Sequence, residues 1–163
     1  MRLVDFLDEV SARYELSDDV SAFAQQSDSN LEQSASIAYV RSVMVEIDGE
    51  IYMCVLPDRF KVDQDALKSY LDAESVSLAD EGIIGELFCD CALGAEPPFG
   101  HLYGIMTLMD RSLEEHDYIV FQAGTHHDCM RMSVAEYKKL AEPRILDIVC
   151  RASDKDSRMG IDI

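Results

Sequence analysis

Leu3, Phe6, Leu7, Val10 and Tyr14 recur at helical spacing, which predicts an amphipathic helix over residues 3–13. Residues 17–36 break that pattern: Ser, Asp, Gln and Asn dominate, one short helix fits over 18–25, and the remainder reads as a connection. Residues 37–47 are β-branched and aromatic, Asp48-Gly49 follows, and residues 50–56 are again apolar. Two such runs joined by Asp-Gly predict a β-hairpin, because both central residues of the tight turn take positive φ. Pro57 ends the second strand. Alternation puts Arg41, Val43, Val45 and Ile47 on one face of the first strand. A cation heading a row of aliphatics belongs at a strand end, either snorkelling to water or reaching into a pocket.

Further along, Asp63 caps a predicted helix over 64–72 with Ala66, Leu67, Tyr70 and Leu71 inward. A short strand follows over 76–78, then a helix over 80–88 weakened by Gly82 and Gly85. Residues 105–109, 118–123, 129–132 and 144–149 read as strands. Asp110-Arg111-Ser112 opens a turn or short helix, and Ser133 with Glu136 forms a capping box for a helix to about 140, stopped by Pro143. The order of elements predicts an α+β fold, a single domain over 1–150 with a mixed or largely antiparallel sheet, and a polar tail over 151–163.

One stretch resists any regular element: Gly94-Ala95-Glu96-Pro97-Pro98-Phe99-Gly100-His101-Leu102-Tyr103-Gly104. Its prolines fix φ and remove two donors, and its glycines allow positive φ or close approach. A stiff loop with free amides suits an oxyanion or a phosphate. The alternative is a loop that only turns a corner.

Charge and cysteine content narrow the chemistry. Fourteen basic residues face thirty-two acidic ones, a net charge of −18. That field repels nucleic acid at long range and argues against a DNA partner. A short single-stranded end remains accessible if a local positive patch surrounds Arg41, with Arg59, Lys61 or Arg131 as contributors. No 18-residue apolar run predicts a membrane span. The start, Met1-Arg2-Leu3-Val4-Asp5, turns acidic at once without a signal-peptide pattern, so the expected location is the cytoplasm. The cysteines, Cys54, Cys89, Cys91, Cys129 and Cys150, are odd in number and irregularly spaced, which argues for reduced thiols. Cys89-x-Cys91 with His126-His127-x-Cys129 departs from zinc-ligand spacing, so no metal and no cofactor are expected.

Four stretches together resemble the YbaK/ProX family of aminoacyl-tRNA deacylases, related to the editing insert of bacterial prolyl-tRNA synthetases. They are residues 43–57 with the Asp-Gly turn; residues 88–104, similar to F-x-D-C-E-x-G-A-x-P-P-F-G, with Gly94 to Pro98 as its G-x-x-x-P; Met109-Asp110-Arg111-Ser112-Leu113, similar to V-D-x-S-L; and residues 120–127, similar to F-N-A-G-T-H. The resemblance spans about residues 38–148. It implies a small α+β domain with a curved, mixed, mostly antiparallel sheet flanked by helices and a pocket beneath the glycine–proline loop. It also implies hydrolysis of the ester of a wrongly charged tRNA. The chain departs from the family pattern in four places. Val40-Arg41-Ser42 replaces Ala-Lys-Thr, Gln122 replaces Asn, Ala92 replaces the Glu after the cysteine, and the N-terminal region lacks the His-Pro and Ser/Thr signature that helps form the pocket in many members.

The resemblance implies Arg41, Gly94, Pro98 and Gly100 as catalytic positions, and Phe99, His101, Asp110, Gly124 and His126 as substrate-binding positions. Loop amides over 94–100 would hold the scissile carbonyl or its oxyanion, and Arg41 the end of the tRNA. Phe99 and His101 would wall the pocket, while Asp110 and His126 brace the loop. An aminoacyl ester is already activated, so positioning a water and stabilising the oxyanion suffice. The absence of Gly-x-Ser-x-Gly agrees with a reaction lacking a nucleophilic side chain. The competing expectation is a non-catalytic binding or sensor module for a small ligand or protein, to be recognised by an acidic pocket rim.

Overall fold

The structure, a computed structural model, describes residues 2–18 and 36–150. In chain order the elements are α1 (Arg2–Glu9), β1 (Glu15–Ser17), β2 (Ile37–Ile47), β3 (Glu50–Pro57), β4 (Lys61–Val62), α2 (Gln64–Leu71), β5 (Val76–Leu78) and α3 (Glu81–Leu87). There follow β6 (Met106–Asp110), β7 (Tyr118–Gln122), β8 (Cys129–Ser133), α4 (Val134–Ala141), β9 (Arg144–Leu146) and β10 (Val149–Cys150). Single 3-10 turns occupy Gly100–Tyr103 and Arg111–Glu115. The architecture is α+β, as the pattern predicts.

The hairpin is the long central member. Asp48 and Gly49 take φ of 50° and 88°, the two positive values that a right-twisted two-residue turn requires. Strand order in the main sheet is β1-β8-β7-β2-β3-β6-β9, with β5 also on β2. The β2–β7, β3–β6 and β6–β9 pairs are parallel, and the other pairs in that sheet are antiparallel. β4 and β10 form a separate small ribbon.

Alternation on the shared strands feeds two apolar clusters, one on each face of the sheet. Val40 and Met44 of β2, Met53 and Val55 of β3 and Met109 of β6 pack with Leu3, Leu7, Phe99, Phe121 and Tyr137. Their neighbours Val45, Ile47, Cys54, Leu56 and Leu108 pack with Leu67 of α2 and with Leu146 and Ile148.

The flank of β2 that positions the site is incompletely paired. β3 runs along one flank from Val40 to Ile47. On the other flank β7 pairs only with Ile37–Tyr39, and β5 only with Val45–Ile47. Residues 40–44 between them lack a strand partner there, although the Met44 carbonyl accepts from the Ala79 amide at 3.0 Å.

Several local expectations need correction. The first helix stops at Glu9, not at residue 13: Ser11 turns left-handed at φ 56° and the Ala12 amide bonds back to the Leu7 carbonyl, so Val10 is left exposed. Tyr70 faces outward, its hydroxyl donating to Asp147 at 3.3 Å. Ser133 caps α4 through the Glu136 amide, but the Glu136 carboxylate accepts from the Arg13 amide instead of closing the box. The last strand is split in two, because the Ile148 amide turns to the buried Asp110 carboxylate at 3.0 Å. β1 and β4 are too short to leave a periodic signal. The helix anticipated over 18–25 and the tail over 151–163 fall outside the described residues, Asp18 excepted.

Gly100 is held by packing: a Cβ there would meet Thr107 Oγ1 at 2.6 Å and the Ile105 carbonyl at 2.8 Å. Gly100→Ala is therefore expected to cost about 1–3 kcal/mol through overpacking, read as a lower denaturant midpoint at unchanged m-value.

Candidate functional site

The glycine–proline loop is held by hydrogen bonds within itself and to the segments around it. The Ala92 amide donates to the Gly124 carbonyl at 2.7 Å, and the Gly124 amide donates to the Ala95 carbonyl at 2.9 Å. This reciprocal pair clamps the loop to the turn after β7. Gly124 holds φ of 98°, which favours glycine. His126 Nε2 lies 2.9 Å from the Leu93 carbonyl, a second brace between the same segments. Deeper in, the buried Tyr137 hydroxyl donates to the Pro98 carbonyl at 2.6 Å, and the Gly100 amide donates to Thr107 Oγ1 at 2.9 Å. The Phe99 ring, fully buried, meets Phe121 and Tyr137 edge-on.

The loop amides are therefore largely occupied. Gly94 donates to Glu96 Oε2 at 3.0 Å, Ala95 to the Ala92 carbonyl and Phe99 to the Pro97 carbonyl. The expectation of a row of free amides over 94–100 is corrected: buried donors must be paired, and Gly94, Ala95 and Phe99 find acceptors nearby in the chain while Gly100 finds Thr107.

Beside this loop, where β2 and β7 part, lies a cavity of about 590 Å³. Its walls include Val40, Arg41, Ser42, Val120, Phe121, Gln122 and Cys129 from the strands, and Gly94, Glu96 and His126 from the loops; Asp18, Tyr39 and Asp58 complete the lining. Such a volume falls within the range of about 300–1,000 Å³ typical of small-molecule sites. Of the nine positions singled out in the sequence, Arg41, Gly94 and His126 meet here. Pro98, Phe99 and Gly100 are core residues behind the loop, and Gly124 is its clamp. His101 packs edge-on against Phe6 with centroids 4.9 Å apart, a contact whose desolvation lowers its pKa while Glu142 works in the opposite direction. Asp110 is fully buried; it caps the 3-10 turn through the amide and hydroxyl of Ser112 and accepts from Ile148.

The electrostatics also differ from expectation. Arg41 reaches the strand end, where Nη2 donates to the Phe60 carbonyl at 2.7 Å. Arg131 is buried, paired with Glu15 and placed over the Tyr118 ring. Arg59 stacks on Phe60 and Lys61 is exposed on β4, neither lining the cavity. The lining thus sets Arg41 against Asp18, Asp58 and Glu96. Two polar groups matter here that sequence reading passed over. Ser42 Oγ is buried with no hydrogen-bond partner among the described residues. Glu96 is 7% exposed, with one carboxylate oxygen fixed on the Gly94 amide.

Residues 18–140 match the aminoacyl-tRNA editing domain family. The chain belongs to this family. No curated protein matches the chain by sequence. Among solved structures it is similar to hypothetical protein APE2540, at 17% identity and TM-score 0.73 over 92% of this chain and 100% of that one. A candidate trans-editing enzyme for prolyl tRNA synthetase aligns at 16% identity and TM-score 0.71, over 92% of this chain and 96% of that one. A candidate signal transduction protein from Marinobacter aquaeolei VT8 aligns at 14% identity and TM-score 0.72, over 94% of this chain but 31% of that one. These structural likenesses are of fold. Among the described residues no helix is long and apolar enough to cross a membrane.

Within this editing domain the cysteines differ in environment. Cys91 is half-buried, its thiol 3.3 Å from the Tyr103 hydroxyl and 3.4 Å from Asp90. Burial pushes its pKa up to about 11, Tyr103 opposes the rise, and Asp90 adds to it. A thiol so raised is protonated at neutral pH and a poor nucleophile. Burial alone takes Cys54 to about 12. Iodoacetamide at pH 7.5 is expected to modify exposed Cys89 first and to leave Cys91 and Cys54 at least tenfold slower, as followed by peptide mass spectrometry.

Proposed function

We propose that the chain is a trans-editing deacylase: it takes the 3′ end of a mischarged tRNA into the cavity between β2 and β7 and hydrolyses the aminoacyl ester. The observation that carries this reading is convergence. Two of the stretches that resemble deacylases, through Gly94 and Glu96 and through Gln122 and His126, line one cavity together with Arg41 and Ser42, which stand where the family has its Lys-Thr. Water adds to the ester carbonyl carbon, the bond to the ribose oxygen breaks, and that oxygen leaves with a proton as the free hydroxyl. No side chain is acylated, and no metal or cofactor takes part; the ester is activated and needs position and charge stabilisation.

Arg41 keeps guanidinium donors beyond the one given to Phe60, and these bind the terminal ribose or phosphate. The Ser42 hydroxyl, buried and without a partner, holds the attacking water or the substrate carbonyl. His126 keeps the loop in register through Leu93. The lining selects small amino acids by excluding larger ones, a sieve worth about 1–3 kcal/mol per methylene. The site of action is the cytoplasm, and DNA is not a partner.

One observation favours a second reading. The cavity carries three carboxylates against one guanidinium, a lining that suits a binding module for a small cationic ligand or a protein.

A panel of mischarged tRNAs, including Ala-tRNA(Pro) and Cys-tRNA(Pro), separates the two at low salt. Wild type is expected to hydrolyse at least one member well above the spontaneous rate. Arg41→Ala should raise KM at least tenfold. Gly94→Val should lower kcat about 100-fold, as misplacement of a positioning loop does. At Gly94, φ of 89° disfavours any side chain and a Cβ would already stand 3.4 Å from His126. An inert wild type across the panel would leave the binding module as the function.

A further inference from the structure

We infer that Glu96 reads the α-ammonium group of the bound aminoacyl end, so that the cavity discriminates between a free amine and a neutral group at that position. The inference rests on the editing-domain reading of the cavity and names what the site recognises first.

Glu96 differs from the other carboxylates of the lining. Asp18 and Asp58 are exposed rim residues, whereas Glu96 is 7% exposed. Its orientation is set: Oε2 accepts from the Gly94 amide at 3.0 Å, and Pro97 stiffens the backbone that follows. The other oxygen, Oε1, has no partner among the described residues and belongs to a side chain on the cavity wall. Arg41, among the described residues the one lining residue carrying a fixed positive charge, has Nη2 turned to the Phe60 carbonyl. A largely buried carboxylate beside a cavity without a committed counter-charge is matched by a cationic ligand group.

The chemistry of the ligand supplies one such group. At the aminoacyl end of a charged tRNA the phosphates are anionic and the ribose, base and ester are neutral; the α-ammonium is the cation. Its three donors fit a fixed carboxylate oxygen, and the ester next to it lies within reach of a hydroxyl donor. Ser42 Oγ, buried, unpartnered and on the same cavity, is such a donor and is an independent sign that a polar ligand completes the site. A carboxylate lining is then compatible with a tRNA end: the pocket takes the positively charged tip while Arg41 meets the anionic stem.

The test is binding, measured apart from turnover. Two hydrolysis-resistant probes are titrated calorimetrically into the full chain: 3′-(L-alanylamino)-3′-deoxyadenosine and its L-lactyl counterpart, in which a hydroxyl replaces the ammonium. Wild type is expected to bind the alanyl probe at least tenfold more tightly. In Glu96→Gln, which keeps the shape and can still accept from Gly94, that ratio should fall to within twofold. Equal affinity for the two probes in wild type overturns the inference, as does a ratio preserved in Glu96→Gln or binding of neither probe up to millimolar concentration. If Glu96→Gln fails to fold, the wild-type ratio alone decides. Discrimination without hydrolysis of any mischarged tRNA would uphold Glu96 and sink the deacylase reading; hydrolysis without discrimination would do the reverse.

Discussion

The reciprocal hydrogen bonds between Gly124 and the turn formed by Ala92 and Ala95 are the constraint on which the site depends. They join two segments that are remote in sequence and give the glycine–proline loop a fixed seat. Each bond contributes about 0.5–1.5 kcal/mol net, but leaving its buried groups unpaired would cost more. The Tyr137 hydroxyl on the Pro98 carbonyl and the Thr107 hydroxyl on the Gly100 amide anchor the far end of the same loop. The loop is thereby rigid at both ends, and Gly94 and Glu96 are presented to the cavity between them.

The second requirement is an interrupted sheet. β2 is shared by the two halves of the sheet, pairing parallel with β7 at its start and antiparallel with β5 at its end. A strand paired along its whole length on both flanks would leave no room beside Arg41 and Ser42. Because β7 leaves β2 after Tyr39, residues 40–42 line a cavity while their opposite flank stays locked to β3. Precision at the site comes from this arrangement, since one wall is a fully paired strand and the other a braced loop.

Charge links the site to the whole chain. A net charge of −18 opposes long-range attraction of nucleic acid, and the cavity itself carries more carboxylate than guanidinium. Such a field does not steer a tRNA toward the cavity. Burial separates Glu96 from the solvated acids of the surface: a carboxylate removed from water interacts more strongly with a matching cation than an exposed one does.

Much of this was legible in the sequence. Asp48-Gly49 with its flanking apolar runs specified the hairpin, and Asp63 and Ser133 cap their helices as local chemistry dictates. The irregularity of the loop was equally readable from its prolines and glycines, and its resemblance marked the region of the site. These are short-range properties, set by a few neighbouring residues. What occupies the loop amides was not short-range: Thr107, Gly124 and the Glu96 carboxylate take up donors that sequence alone leaves open. Nor could local pattern separate Arg41, Gly94 and His126, which meet at the cavity, from Phe99, Gly100 and Asp110, which the core absorbs. The sequence by itself determined the hairpin, most of the longer elements and the stiff loop. Only the tertiary structure decided which of its polar groups remain unpartnered beside a cavity, because pairing across distant segments is a choice among competing contacts that no local propensity encodes.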